Sequence, residues 1–93
     1  MQPRPTMTTM SDEDASALAL GALAWAVGEP ARANRLLDLT GLAPADLRAR
    51  ASEPATLAAV IGFLESHEPD LIACADALEV KPERLLAAGR LLA

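Results

Sequence analysis

Residues 39–54 read LTGLAPADLRARASEP, and nearly every position in them is a start or stop signal for helix. Gly41 is free to take positive φ and so ends whatever helix precedes it. Pro44, with its fixed φ and missing N–H, suits the first turn of a new helix, and Pro54 repeats that signal after Ser52-Glu53. Leu42 packs back across the corner, and Leu47 anchors a short helix that runs from Pro44 through about Ala51. Asp46 and Arg50, spaced i,i+4 with the acid first, add a small surface contribution. The stretch predicts helix, corner, short helix, corner, helix.

Upstream, residues 30–40 are amphipathic, with Ala33, Leu36 and Leu37 inward and Arg32, Arg35 and Asp38 toward water. The first helix opens at Ser11 as N-cap, with Asp14 in a capping-box position and Asp12 and Glu13 at the positive end of the dipole. Beyond Ser16 it is apolar all round. Ala15, Leu18, Ala22 and Trp25 share one face; Leu20, Leu23, Ala24 and Val27 share the adjoining one. Such a helix is normally central in a bundle or buried against a partner. Complete burial within one chain is the favoured reading, and an exposed apolar interface is the alternative. Gly28 fits a C-terminal stop. Residues 1–10 hold two prolines and no periodicity and predict a mobile tail, with Met7 and Met10 as alternative starts.

Downstream of Pro54, Leu57, Val60, Ile61 and Leu64 follow the i, i+3, i+4, i+7 rule, with Phe63 beside them. A polar break at residues 65–68 leads to a helix from Pro69, with Leu71, Ile72, Ala75 and Leu78 inward. After a turn at Val80-Lys81-Pro82, the last helix sets Leu85, Ala88, Gly89 and Leu92 on one side. The expected fold is all-α: one domain over residues 11–93, a compact bundle of five or six short helices. Its expected core is Trp25, Leu36, Leu37, Leu42, Leu47, Leu57, Val60, Ile61, Leu64, Leu71, Leu78 and Leu85.

Composition agrees. Of 93 residues, 52% are hydrophobic, and that set is Ala and Leu with only 2% aromatics, which favours helix over strand. The net charge of −5 argues against strong non-specific attraction to phosphate backbones. A single cysteine allows no intrachain disulfide, which with the lack of a signal peptide points to the cytoplasm. The uncharged run of residues 17–28 is too short for the roughly 20 residues of a membrane span.

The chain also resembles itself. Glu29-Pro30 matches Glu68-Pro69 and Leu39 matches Leu78 at an offset of 39; after a one-residue gap, Leu42, Pro44 and Leu47 match Val80, Pro82 and Leu85 at 38. Two related halves would explain this, as would chance alignment of Ala/Leu-rich helices. Each half fits helix-turn-helix spacing through Leu37, Gly41, Leu42 and Leu47, or Ala75, Glu79, Val80 and Leu85. Yet the following helices are poor in the Arg, Lys, Asn and Gln that pair with base edges.

No motif carries catalysis. His67 lies in a polar connection with Glu65, Glu68 and Asp70, too sparse a set for a metal site. Cys74 sits in an apolar helix, where a thiol behaves as a small hydrophobe. No glycine-rich phosphate loop, cofactor motif or small-molecule substrate site is evident. One local basic group remains, Arg32, Arg35, Arg48 and Arg50, which is either a solvated face or a docking surface for an acidic partner.

An Ala-Leu-Ala-Trp opening, Glu-Pro, the Leu-Thr-Gly-Leu-Ala-Pro-Ala-Asp-Leu-Arg block and an apolar helix ending in Phe-Leu-Glu resemble a family of small alphaproteobacterial proteins known as a domain of unknown function. The resemblance runs from about Ser11 to the end. It implies a compact helical fold and brings no activity or cofactor. The expected function is a non-catalytic protein-interaction or regulatory module whose partner is another protein or a second copy of itself. The alternative is a divergent helix-turn-helix DNA-binding protein.

Overall fold

The computed structural model describes residues 10–93, which form six helices: α1 (Asp12–Val27), α2 (Pro30–Thr40), α3 (Pro44–Ala49), α4 (Pro54–Glu65), α5 (Glu68–Leu78) and α6 (Pro82–Leu92). The expected tail lies outside the described residues except for Met10, which packs half-buried on the core.

Local signals set the boundaries. At α1 the Ser11 hydroxyl accepts the Asp14 amide at 3.0 Å, and the Ser11 amide reaches the Asp14 carboxylate at 3.5 Å, long because Asp is a short capping-box partner. Gly41 ends α2 at φ 74°, and its amide caps Leu37 at 2.8 Å. The Thr40 hydroxyl donates to the Leu36 carbonyl and accepts from the Leu42 amide, tying the last turn to the corner. Proline occupies the first turn of α2 through α6. Two bounds differ from expectation: α3 stops at Ala49 rather than about Ala51, and α5 starts one residue early, at Glu68 with His67 as N-cap. Gly28 stops α1 without positive φ (−73°); its amide closes on the Trp25 carbonyl at 3.2 Å, and the extended backbone of Glu29 then ends the helix.

α1, α4 and α6 pack against one another as the centre of the bundle, with α2 and α5 against α1 and α4, and α3 at the periphery. The centre is built from alanine. Ala15, Ala19, Ala22 and Ala26 form a fully buried stripe on α1, with Leu23 beside it. Small side chains there let neighbouring helices approach closely. The larger bodies come from Leu57, Val60, Ile61, Phe63 and Leu64 of α4, Leu85 and Leu92 of α6, and Leu36 of α2. Four expected core residues, Trp25, Leu37, Leu42 and Leu78, are only half-buried and rim this centre. Ile72, expected inward, is 51% exposed, because α5 buries the side carrying Leu71, Cys74 and Ala75.

The favoured reading of α1 is corrected as well: it is not wholly buried. Ala17, Leu20, Ala24 and Val27 point outward, with Leu20 40% and Val27 45% exposed.

The helices repeat at a constant spacing. α1 ends at Val27 and α4 at Glu65; α2 spans Pro30–Thr40 and α5 Glu68–Leu78; α3 starts at Pro44 and α6 at Pro82, each 38 residues apart. The turn residues Gly41 and Glu79 share a left-handed backbone, at φ 74° and 60°. Burial repeats in the same register, pairing Ala19 with Leu57, Ala22 with Val60, Leu23 with Ile61, Ala26 with Leu64, Leu36 with Cys74 and Leu47 with Leu85. The gap drawn from the two Glu-Pro pairs is therefore not present in the fold. The ungapped register also pairs Trp25 with Phe63, the only two aromatics.

Candidate docking groove

The four arginines divide into two kinds. Arg32, in the first turn of α2, folds back over the end of α1. Its Nη2 donates to the Trp25 carbonyl at 2.6 Å, and its guanidinium lies 3.8 Å from the Trp25 ring centroid. Its Nη1 is 3.6 Å from the Glu29 carboxylate, while its Nε is buried without a partner. Arg35, one turn on, reaches across to α5, where its Nη1 donates to Asp70 Oδ2 at 2.7 Å, and it passes 5.6 Å from the Phe63 ring. The Asp70 hydrogen bond and charge raise the Arg35 pKa above its ordinary value, with Glu29 adding and burial opposing. Arg32 therefore braces the α1–α2 corner, and Arg35 ties α2 to α5. Arg48 is exposed on α3 and Arg50 is exposed as the residue that caps its C-terminus, and neither has an ion-pair partner among the described residues. Proximity in sequence grouped four cations to which the fold gives different contacts.

The repeat clarifies Arg32. The carbonyls of Trp25 and Phe63 occupy equivalent helix ends. Arg32 caps the first, and the Ser66 hydroxyl, at 2.7 Å, caps the second.

Arg48 opens onto a feature that spacing alone did not reveal. An apolar groove of about 420 Å³ runs between α1, α2 and α3, lined by Leu23, Val27, Ala33, Leu37, Pro44, Leu47, Arg48 and Ala51. It exists because the two halves differ at one helix. α6 has 11 residues and packs fully onto α1 and α4, whereas its counterpart α3 has six and stays peripheral. The α6–α4 crossing is close enough that a Cβ on Gly89 would stand 2.6 Å from Ile61 Cγ2. The equivalent pair, Ala51 and Leu23, instead lines the open groove. The spacing predicts Ala33, Leu37 and Leu47 as inward-facing; the sequence carries no sign that α3 leaves them beside an open groove.

A wider depression of about 550 Å³ lies along α5, lined by Ile72 and Ala73 with Glu68 and Asp76. It is larger, but its charged residues are acidic and it lies apart from the free arginines. The groove beside Arg48 is the better candidate for docking an acidic partner.

Cys74 is fully buried, and desolvation pushes its thiol up to about 11, a shift eased by Arg32 and reinforced by Asp70. A thiol so placed is protonated near neutral pH and a poor nucleophile. His67 is exposed at the N-terminus of α5, where its backbone carbonyl accepts the Asp70 and Leu71 amides. Of the two helix-turn-helix corners, the second buries its trailing helix, α6, in the centre of the bundle. The first ends in α3, whose exposed residues include Asp46 and Arg48, with exposed Arg50 capping its end.

The family model described as Protein of unknown function (DUF3572) matches residues 12–93. The chain belongs to that family. The matched span begins with α1 and ends with the last residue, so the whole six-helix unit is the family's domain. No curated protein and no solved structure matches the chain. Among the described residues of this DUF3572 protein, no helix is long and apolar enough to cross a membrane.

Proposed function

We propose that this DUF3572 protein is a non-catalytic protein-interaction module that holds an apolar side chain of an acidic partner in the groove between α1, α2 and α3. The observation that supports it is the groove's lining, seven apolar residues with Arg48 as the one charged group. Apolar contact supplies affinity in such an arrangement, and a rim cation supplies orientation and steering. Arg32 and Arg35 hold the α2 wall in place through the Trp25 carbonyl and Asp70. Cytoplasmic residence belongs to this proposal, in keeping with a single, buried thiol.

Site-specific photocrosslinking in the native cell tests it. A crosslinker at Ala51, in the groove, is expected to capture one protein repeatedly, and a crosslinker at exposed Ala73 on α5 is expected to miss it. Arg48→Glu should abolish the Ala51 crosslink while leaving the thermal melt unchanged. Equal capture from Ala51 and Ala73, or capture indifferent to Arg48, would refute the docking role of the groove.

A further inference from the structure

On its outward side, α1 carries Glu13, Ala17, Leu20, Ala24 and Val27, all exposed. Their spacing of four, three, four and three places them on one stripe, along a helix about 24 Å long. The stripe is apolar except at its N-terminal end, where Glu13 stands in a first turn that also holds Asp12 and Asp14. At its other end Val27 forms one wall of the groove that Arg48 also lines. One end of a continuous apolar strip is therefore acidic and the other basic.

We infer that this strip is a two-fold, antiparallel interface with a second copy of the same chain. Self-complementarity of size and of charge favours this occupant over a different protein. With the dyad at the level of Ala22, Leu20 faces Ala24 of the other copy and Val27 faces its Ala17, so each large side chain meets a small one. An isologous contact makes each pairing twice, once on either side of the axis. The same register carries Glu13 one turn beyond Ala17, over the groove rim of the other copy, beside its Arg48. Neither charge has an intramolecular ion-pair partner among the described residues. A parallel pairing would instead set the acidic first turns against each other. One helical face is at the small end of specific interfaces, where weak, reversible association is the rule. This deepens the docking reading and rests on it for the partner-facing role of Arg48.

The test is sedimentation velocity over a concentration series, with a thermal melt of every variant to establish that it is folded. The wild-type chain is expected to dimerise reversibly, and Leu20→Glu to weaken that at least tenfold. Glu13→Arg alone and Arg48→Glu alone should each be monomeric, since each sets like charges against one another twice. An equimolar mixture of these two single variants should dimerise again, because each opposes the other's altered charge, and a folding defect would give no such recovery. A wild-type chain that stays monomeric to millimolar concentration, or a mixture that does not recover, overturns the inference. If the wild-type chain stays monomeric while the Ala51 crosslinker still captures a different protein, self-association fails and the docking reading stands. If neither occurs, both fail.

Discussion

Gly62 and Gly89 allow one chemical change to be made in two surroundings with opposite expected signs. Both lie within helices, where Ala is favoured over Gly by about 1 kcal/mol. At Gly62 an added Cβ meets nothing within 4 Å, so Gly62→Ala should keep most of that gain. At Gly89 the same atom would stand 2.6 Å from Ile61 Cγ2 and 3.0 Å from Ile61 Cβ. Ile61 is 1% exposed, and rotating its side chain leaves the Cβ contact in place, so α6 must move off α4. Overpacking of this kind costs about 1–3 kcal/mol, which outweighs the propensity gain. Net of the propensity gain, Gly89→Ala should be destabilising by up to about 2 kcal/mol, a fall in Tm of up to roughly 16 °C for a domain of this size. Gly62→Ala should raise Tm by a few degrees. Urea denaturation at fixed m gives both values. Adding Ile61→Ala to Gly89→Ala should cost less than Ile61→Ala costs alone in combination with the full Gly89 penalty, because the two side chains share the same space. If Gly89→Ala stabilises as much as Gly62→Ala does, the close α4–α6 crossing is wrong, and with it the contrast between the closed and open halves.

Three further outcomes follow from other contacts. Arg32→Leu removes a hydrogen bond to a helix-end carbonyl and a cation–π contact on the only tryptophan. It should cost about 1–2 kcal/mol and shift Trp25 fluorescence, and an unchanged spectrum would count against the stacked geometry. The Cys74 thiol is raised to about 11, so it stays protonated in the fold at pH values where the unfolded chain ionises. Its contribution is neutral below about pH 8.5, and stability then falls by about 1.4 kcal/mol per pH unit up to about 11, where the folded thiol also ionises. Comparing the alkaline slopes of wild type and Cys74→Ala isolates it; equal slopes would disprove the burial-driven shift. Ser11→Ala should cost about 1 kcal/mol by removing the side-chain acceptor of the Asp14 amide, with hydrogen exchange rising first in the opening turn of α1. A global change with no local increase would contradict that assignment.

The sequence by itself determined where helices begin and end, apart from the end of α3 and the start of α5. Ser11 with Asp14, Gly41, and the prolines at 30, 44, 54 and 82 act through their own backbone or nearest neighbours, so a reader of the chain meets the same forces that the chain does. The pattern of α4 was equally legible, because Leu57, Val60, Ile61 and Leu64 are separated by helical spacings. Tertiary structure alone decided the rest. An α1 that is apolar all round has no periodic cue to say which side is buried, and the small alanines won that side because they let α4 and α6 come close. Residues 39–54 announced the short α3 but not that it would stay off α1 and leave a groove beside Arg48. Arg32 and Arg35 look alike in the chain, one turn apart on the same helix. Their roles depend on the Trp25 carbonyl and on Asp70, 35 residues away from Arg35, and only packing brings those groups together.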